Sequence, residues 1–237
     1  MRIRVAYVEE PPFYWTADDG TATGSDIELA DVVLRSIGAT SIEFCPTVFE
    51  ELLPGVQAGR WEMNVPIFVT PERAQQVAFS RPVWSLRDGF LVRRGNPKGL
   101  TGYRVISTRS DARLGVIPGQ VQVDAATSAG VGAQQLLVFA NQADAVTALL
   151  ADQIDAFAAT AVGNRALAAA HDELEAADLE DSGAGDAPVG AFSFRATNRE
   201  LLDAVDAQLH AYLGSHDHRA RVARYGITRT EIDGAMA

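Results

Sequence analysis

The sequence predicts an α/β protein made of two doubly wound lobes joined by a two-strand hinge. Three observations carry this reading. The first 75 residues run strand, loop, helix, strand, helix, strand, helix. A second run of alternating strands and helices covers residues 112–171. An isolated late strand, Pro188-Val189-Gly190-Ala191-Phe192-Ser193-Phe194-Arg195, then offers a path back to the first half. Alternation of this kind gives a parallel sheet with helices on both faces. The expected lobes are residues 1–92 with 191–237, and residues 93–190.

In the first half, residues 2–8 alternate and suit a strand, which Glu9-Glu10-Pro11-Pro12 breaks. Phe13, Tyr14 and Trp15 follow in a loop, where they either cover a core edge or wall a ligand site. Gly24-Ser25-Asp26 opens a helix with Ile27, Ala30, Val33, Leu34 and Ile37 on one face. Residues 41–47 form the next strand. Thr47-Val48-Phe49-Glu50 reads as a capping box for a helix carrying Phe49, Leu52, Leu53 and Val56, stopped by Gly59. Residues 63–69 are apolar enough for a strand buried on both faces. Residues 88–94 look like another strand, and Gly95-Asn96-Pro97 marks the lobe boundary.

In the second half, strands are expected at 112–117, 136–139 and 154–160, with helices at 121–129, after Asn141 and at 162–171. Residues 173–186 are acidic and poorly patterned, a strand fragment with a solvated loop. Thr197-Asn198-Arg199-Glu200 reads as a capping box for a helix with Leu201, Leu202, Val205, Leu209, Tyr212 and Leu213 facing inward. A short helix over 219–225 ends at Gly226. The tail after Thr228 shows no clear role.

Composition narrows the function. The 237 residues are 47% apolar, enough for a sizeable core, and the formal charge is −11 with a pI near 4.8. An acidic chain lacks the basic patches that displace counterions from a nucleic acid, so no nucleic-acid partner is expected. Cys45 is the sole cysteine, which precludes an intrachain disulfide; beside Ile42, Phe44 and Phe49 it reads as a buried, inert thiol. No apolar run is long enough to span a membrane, and no leader is visible. Residues alone leave two readings, a cytoplasmic protein or one whose leader lies outside this sequence.

The stretch Pro66-Ile67-Phe68-Val69-Thr70-Pro71-Glu72-Arg73 organises the chain. It reads as a buried strand running into a helix, with Thr70 as N-cap and Pro71 at the first helical position. Arg73 then sits near the positive end of a helix dipole, where a cation is unfavourable. Glu72, another carboxylate or a bound anion could compensate it. Ligands of such sheets bind beyond the carboxyl ends of the strands. That rule gathers residues 10–15, 68–73, 118–121 and Thr160 around one cleft.

The order and spacing of several short segments carry a resemblance. They are Pro11-Pro12-Phe13, Gly24-Ser25-Asp26-Ile27-Glu28-Leu29-Ala30, Phe49-Glu50-Glu51-Leu52-Leu53-Pro54 and Ala58-Gly59-Arg60. Further on come Thr70-Pro71-Glu72-Arg73 with Phe79-Ser80-Arg81-Pro82, Asp155-Ala156, and Ala223-Arg224-Tyr225-Gly226. Over nearly its whole length the chain resembles the amino-acid type of extracytoplasmic solute-binding proteins, family 3, of ABC importers. The resemblance implies the periplasmic binding protein type II fold, two lobes that close on ligand like a trap. It implies a periplasmic or otherwise extracytoplasmic location, a permease partner, a monomer and no cofactor. It also implies that Arg73 holds a ligand α-carboxylate, for which a planar guanidinium fork is suited.

Three departures from the family pattern bear on the ligand. The family acid that holds the α-ammonium is replaced by Thr160, which supplies no charge, while Asp155 is the structural acid before that strand. Pro66 and Phe68 occupy positions that are often small or hydroxylated. Glu10 stands where an aromatic or small polar residue is common. Two ligand readings follow. Either Glu10 replaces the missing acid and the ligand is an amino acid or cationic derivative, or the ligand is a carboxylate without a primary α-ammonium, such as a cyclic derivative. Phe13, Tyr14, Phe68 and Trp84 form a candidate apolar or cation–π wall, with ordinary packing as the alternative role. Phe49 and Thr70 complete the expected site. Gly119 and Gln120 offer backbone donors at a helix start, and Val121 replaces a hydroxyl there.

No catalytic residue or metal ligand is assigned. His216-Asp217-His218 lacks helical metal-ligand spacing, and His171 and His210 lie far along the chain from the cleft. No nucleophile elbow or phosphate loop is present. The alternatives to import are a non-transport sensor or orphan binding domain, and a dehydratase of the cyclohexadienyl or arogenate type, in which Glu10 would act as general acid.

Overall fold

A computed structural model describes residues 1–180 and 187–236. The chain forms two compact units, Met1–Leu86 with Ala187–Ala237, and Arg87–Asp186. The expected boundaries at 92/93 and 190/191 fall inside strands that each belong to one unit.

The first unit begins with β1 (Arg2–Tyr7), β2 (Trp15–Thr16), β3 (Ala22–Thr23), α1 (Ser25–Ser36), β4 (Ser41–Pro46) and α2 (Leu52–Ala58). It continues with β5 (Met63–Phe68), α3 (Pro71–Ala74), β6 (Ala78–Phe79) and β7 (Trp84–Ser85). The second unit holds β8 (Asp88–Arg93), α4 (Tyr103–Ser107), β9 (Leu114–Val116), α5 (Val121–Ser128) and β10 (Leu136–Val138). It ends with α6 (Gln142–Leu150), β11 (Ala156–Thr160), α7 (Ala161–Ala170) and β12 (Leu174–Asp178). The chain then returns to the first unit with β13 (Val189–Phe194), α8 (Arg199–Tyr212), α9 (His216–Ala223) and α10 (Arg229–Met236).

The first sheet runs β4-β1-β5-β13-β6, with β7 also on β13. β4, β1 and β5 are parallel, and β13 runs antiparallel to β5. Every residue of β5 is buried, as its apolar run predicts. Pro66 is tolerated in this central strand because neither neighbour pairs with it: the β1 ladder ends at Ala6 and Asn64, and the β13 ladder shifts between Ala191 and Ser193. Helix α1 buries Ile27, Ala30, Val33 and Leu34, a stripe worth roughly 1.5–3 kcal/mol for each large side chain.

The second sheet runs β10-β9-β11-β8-β12, with β8 antiparallel to both neighbours. Phe90 and Val92 of β8, Leu114 and Val116 of β9, and Ala156 and Ala158 of β11 share one core with Leu100, Ile106 and Ala126. Strand side chains alternate, so Asp88 and Thr160 occupy the next positions on that same face. They are also direct partners in the β8–β11 ladder.

Both expected capping boxes fail. Residues Phe49–Glu51 form a 3-10 turn after an extended Val48, without a side-chain cap. Helix α2 starts only at Leu52, which keeps Pro54 in the first turn, where its missing N–H breaks no bond. Helix α8 starts at Arg199 with Asn198 as an N-cap that makes no side-chain bond, so Glu200 is one position too early to reach back. Tyr212 and Leu213 are half-buried rather than inward-facing. Cys45 is half-buried as well, because β4 is an edge strand. The tail forms α10, which packs on β7. The expected solvated loop extends into residues 181–186, outside the described residues.

Candidate ligand-binding site

In the first unit the site grows from the end of β5. Thr70 caps α3 by accepting from the Arg73 N–H at 3.2 Å, with Pro71 at the first helical position. This turn folds the Arg73 side chain back over the strand end. Its Nη1 donates to the Phe68 carbonyl at 2.7 Å, and its guanidinium carbon lies 5.2 Å from the centre of the Phe49 ring. Arg73 is buried, with 8% of its surface exposed. A flat cation over an aromatic face is held in place without losing its charge.

An aromatic chain continues from Phe68. Its ring meets Trp84 edge-on at 5.1 Å, Trp84 lies 6.1 Å from Phe13, and Phe13 lies 6.2 Å from Tyr14. The loop bearing Phe13 is pinned to the start of α1: the Ser25 and Asp26 N–H groups donate to the Pro12 and Phe13 carbonyls at 3.1 and 2.9 Å. The close approach requires Gly24, whose φ is 125° and where a Cβ would lie 2.2 Å from the Phe13 oxygen. Gly190 likewise leaves space for the Trp84 ring, 2.0 Å from where a Cβ would be.

Two acids are buried in this unit near the aromatic chain. Glu10 bridges to Tyr14 through the backbone, and the Tyr14 hydroxyl donates to Glu10 Oε2 at 3.4 Å. Asp26 accepts from the Trp84 indole at 3.1 Å and from the Ser25 hydroxyl at 3.2 Å. Burial pushes the Asp26 carboxyl up to about 7; the Trp84 and Ser25 hydrogen bonds pull it down, and the Glu10 charge pushes it up further. The Tyr14 phenol is pushed well above its usual value by burial and then by Glu10 and Asp26, while Arg73 pulls it down. Tyr14 therefore feels the charges of Glu10, Asp26 and Arg73, and Asp26 feels that of Glu10. Tyr14 belongs to the expected aromatic wall, whereas Asp26 was not among the expected binding residues. Asp26 reads in sequence as a helix-start carboxylate, and nothing local signals a partner 58 positions away.

In the second unit, Gly119 has a positive φ of 76° and leads into Gln120, the N-cap of α5, and Val121, its first residue. Thr160 closes β11 and caps α7, its hydroxyl accepting from the Gly163 N–H at 3.1 Å. Thr160 is thus a helix cap. Asp155 has the expected structural role: it accepts from the Arg113 N–H at 2.8 Å and pairs with Lys98 at 3.0 Å. Among the described residues no cluster of three or more metal-ligating side chains occurs, and no helix is long and apolar enough to cross a membrane.

A chain that leaves one doubly wound unit, builds a second and returns, with a buried arginine at a capped strand-to-helix turn, is a solute-binding protein of the periplasmic binding protein type II class. More narrowly, it belongs to the bacterial extracellular solute-binding proteins, family 3, whose family model matches residues 3–226. A probable amino-acid ABC transporter periplasmic-binding protein of Sinorhizobium fredii is 29% identical over 231 residues, covering 94% of this chain and 76% of the relative. The crystal structure of EhuB in complex with hydroxyectoine has a TM-score of 0.89 at 25% identity, covering 99% of this chain and 91% of that one. An ancestral amino acid-binding protein, a precursor of cyclohexadienyl dehydratase, has a TM-score of 0.81 at 23% identity, covering 94% of each chain, and shares the fold.

Proposed function

We propose that this chain captures a small solute carrying both a carboxylate and a cationic nitrogen, and delivers it to an ABC permease outside the cytoplasm. The observation that carries this is the buried Arg73, fixed by Phe68 and Phe49 at the capped turn. A preorganised guanidinium supplies a bidentate carboxylate clamp. Glu10, buried beside Tyr14, supplies negative charge for the ligand's cation. Within this class we favour a cyclic cationic carboxylate over an ordinary α-amino acid. Phe13, Phe68 and Trp84 suit a flat, delocalised cation. Hydroxyectoine, which the structurally similar EhuB holds, is a carboxylate on a cyclic amidinium ring.

The same reading takes the protein as a monomeric binder that releases its solute unchanged. A thermal-shift panel of hydroxyectoine, betaines, L-arginine, L-glutamine and L-pyroglutamate tests it, since a ligand raises the melting temperature by mass action. The largest rise is expected with hydroxyectoine, and no rise with any cationic carboxylate contradicts the reading. Incubation with prephenate or arogenate, with no product formed, separates the binder from the dehydratase alternative.

A further inference from the structure

Asp26 is the buried acid of the first unit that solute capture leaves without a task. It is 2% exposed, and both its oxygens accept hydrogen bonds, Oδ2 from the Trp84 indole at 3.1 Å and Oδ1 from the Ser25 hydroxyl at 3.2 Å. An indole N–H can only donate, so these partners suit the ionised carboxylate. Burial opposes them, because a desolvated charge without a counter-charge is costly. The charged group acting on Asp26 is another acid, Glu10, which opposes ionisation as well. Asp26 is thus held between two protonation states by groups of one unit.

The loop that carries Glu10 is fastened to Asp26 itself. The Asp26 N–H donates to the Phe13 carbonyl at 2.9 Å, and the Glu10 N–H donates to the Tyr14 carbonyl at 2.8 Å. The Tyr14 hydroxyl donates to Glu10 Oε2, and its phenol feels both acids. The other elements packed on α1 leave this balance alone. β3 and β5 carry no titratable side chain. From α9, Arg221 and Arg224 go to Glu28 at 3.6 and 2.5 Å. α8 carries Arg199, Glu200, Asp203, Asp206 and His210, the last two engaged by Arg81, and none of these acts on Asp26.

We propose that capture of a cationic solute beside Glu10 drives a proton from Asp26 into solvent, so that affinity rises with pH through neutrality. This rests on the solute-capture reading above and deepens it by giving that site a pH control. The solute's cation offsets the Glu10 charge and so removes one of the forces that keep Asp26 protonated. Asp26 is buried already, so the solute adds little desolvation. Its carboxyl lies at about 7 in the free protein. Below that pH capture must expel the proton; well above it Asp26 is ionised before the solute arrives, and the linkage vanishes. An ionised Asp26 also holds the Trp84 indole by a charge-assisted hydrogen bond, which stiffens the ring that Phe13 and Phe68 pack against.

The test titrates hydroxyectoine and L-arginine calorimetrically into the full chain and into Asp26→Asn, in phosphate and in Tris, whose heats of ionisation differ. A downward shift of one pKa unit on capture releases about 0.4 proton near pH 7 and tightens binding about fivefold from pH ~6 to ~8. Wild type is expected to show heats that differ between the buffers and this rise in affinity. Asp26→Asn is expected to show neither. Difference infrared spectroscopy of the wild type reads the same step without a variant, as protonated-carboxyl absorption lost on adding solute, and decides the matter where Asp26→Asn does not fold. Solute binding with equal heats in the two buffers overturns the proposal and leaves the capture reading standing. Proton release that persists in Asp26→Asn also overturns it, by placing the proton on another group. Failure of both probes to bind the wild type at any of these pH values overturns the proposal together with the capture of cationic carboxylates.

Discussion

The Trp84 indole donates its Nε1–H to Oδ2 of Asp26 at 3.1 Å, joining the aromatic wall to the first turn of α1. The acid therefore does more than complement a helix dipole. It fixes the plane of the ring that both Phe13 and Phe68 pack against.

This pairing has a pH signature. Burial raises the folded-state pKa of Asp26 from 3.8 to about 7, so the folded protein holds a proton there that the unfolded chain has released. The stability this contributes is full below about pH 4 and is lost as pH rises through about 7. Asp26→Asn keeps an oxygen acceptor for the indole and removes the titration. Chemical denaturation from pH 4 to 7 should show wild type losing stability relative to the variant, by up to ~1.4 kcal/mol per pH unit. Parallel pH profiles would contradict the assignment.

Gly190 provides the space for the same ring. A methyl group there would lie 2.0 Å from Trp84, with ring atoms on which the wall depends. Gly190→Ala is expected to destabilise the protein by about 1–3 kcal/mol and to shift the Trp84 fluorescence. A variant with unchanged melting temperature and emission would mean that the ring is not confined as described.

His218 behaves in the opposite sense. It is buried at 2% exposure and accepts from the Gly214 N–H at Nδ1, 3.1 Å. Burial lowers its pKa from 6.5 to about 4, with the Arg219 charge adding to this and Asp217 opposing it. Its contribution to stability is present above pH 6.5 and lost as pH falls through about 4. His218→Asn retains an acceptor near the Nδ1 position. Between those pH values wild type should lose stability relative to the variant as the solution is acidified.

Much of the architecture was legible in the sequence because it rests on local rules. Alternation fixed the strands, Thr70-Pro71 announced the start of α3 through cap and proline chemistry, and the mostly apolar 63–69 run marked a strand buried on both faces. The failures have equally physical causes. Thr47 and Thr197 carry capping-box patterns, but Pro54 and the backbone at Asn198 move the true starts of α2 and α8. The site was legible where the chain brings its parts together nearby, as with Phe68, Thr70 and Arg73. Asp26 and Trp84 are brought together by tertiary packing. No short-range pattern encodes that meeting.

The central claim is that Arg73 clamps a ligand carboxylate. Isothermal titration of hydroxyectoine into wild type and Arg73→Ala tests it most directly, with the folded state of each checked by its unliganded melting curve. Hydrogen bonds to charged groups are worth about 1.5–3 kcal/mol each, so removing a bidentate pair should weaken binding by roughly a hundredfold or more. Binding to the variant that equals wild type would contradict the account.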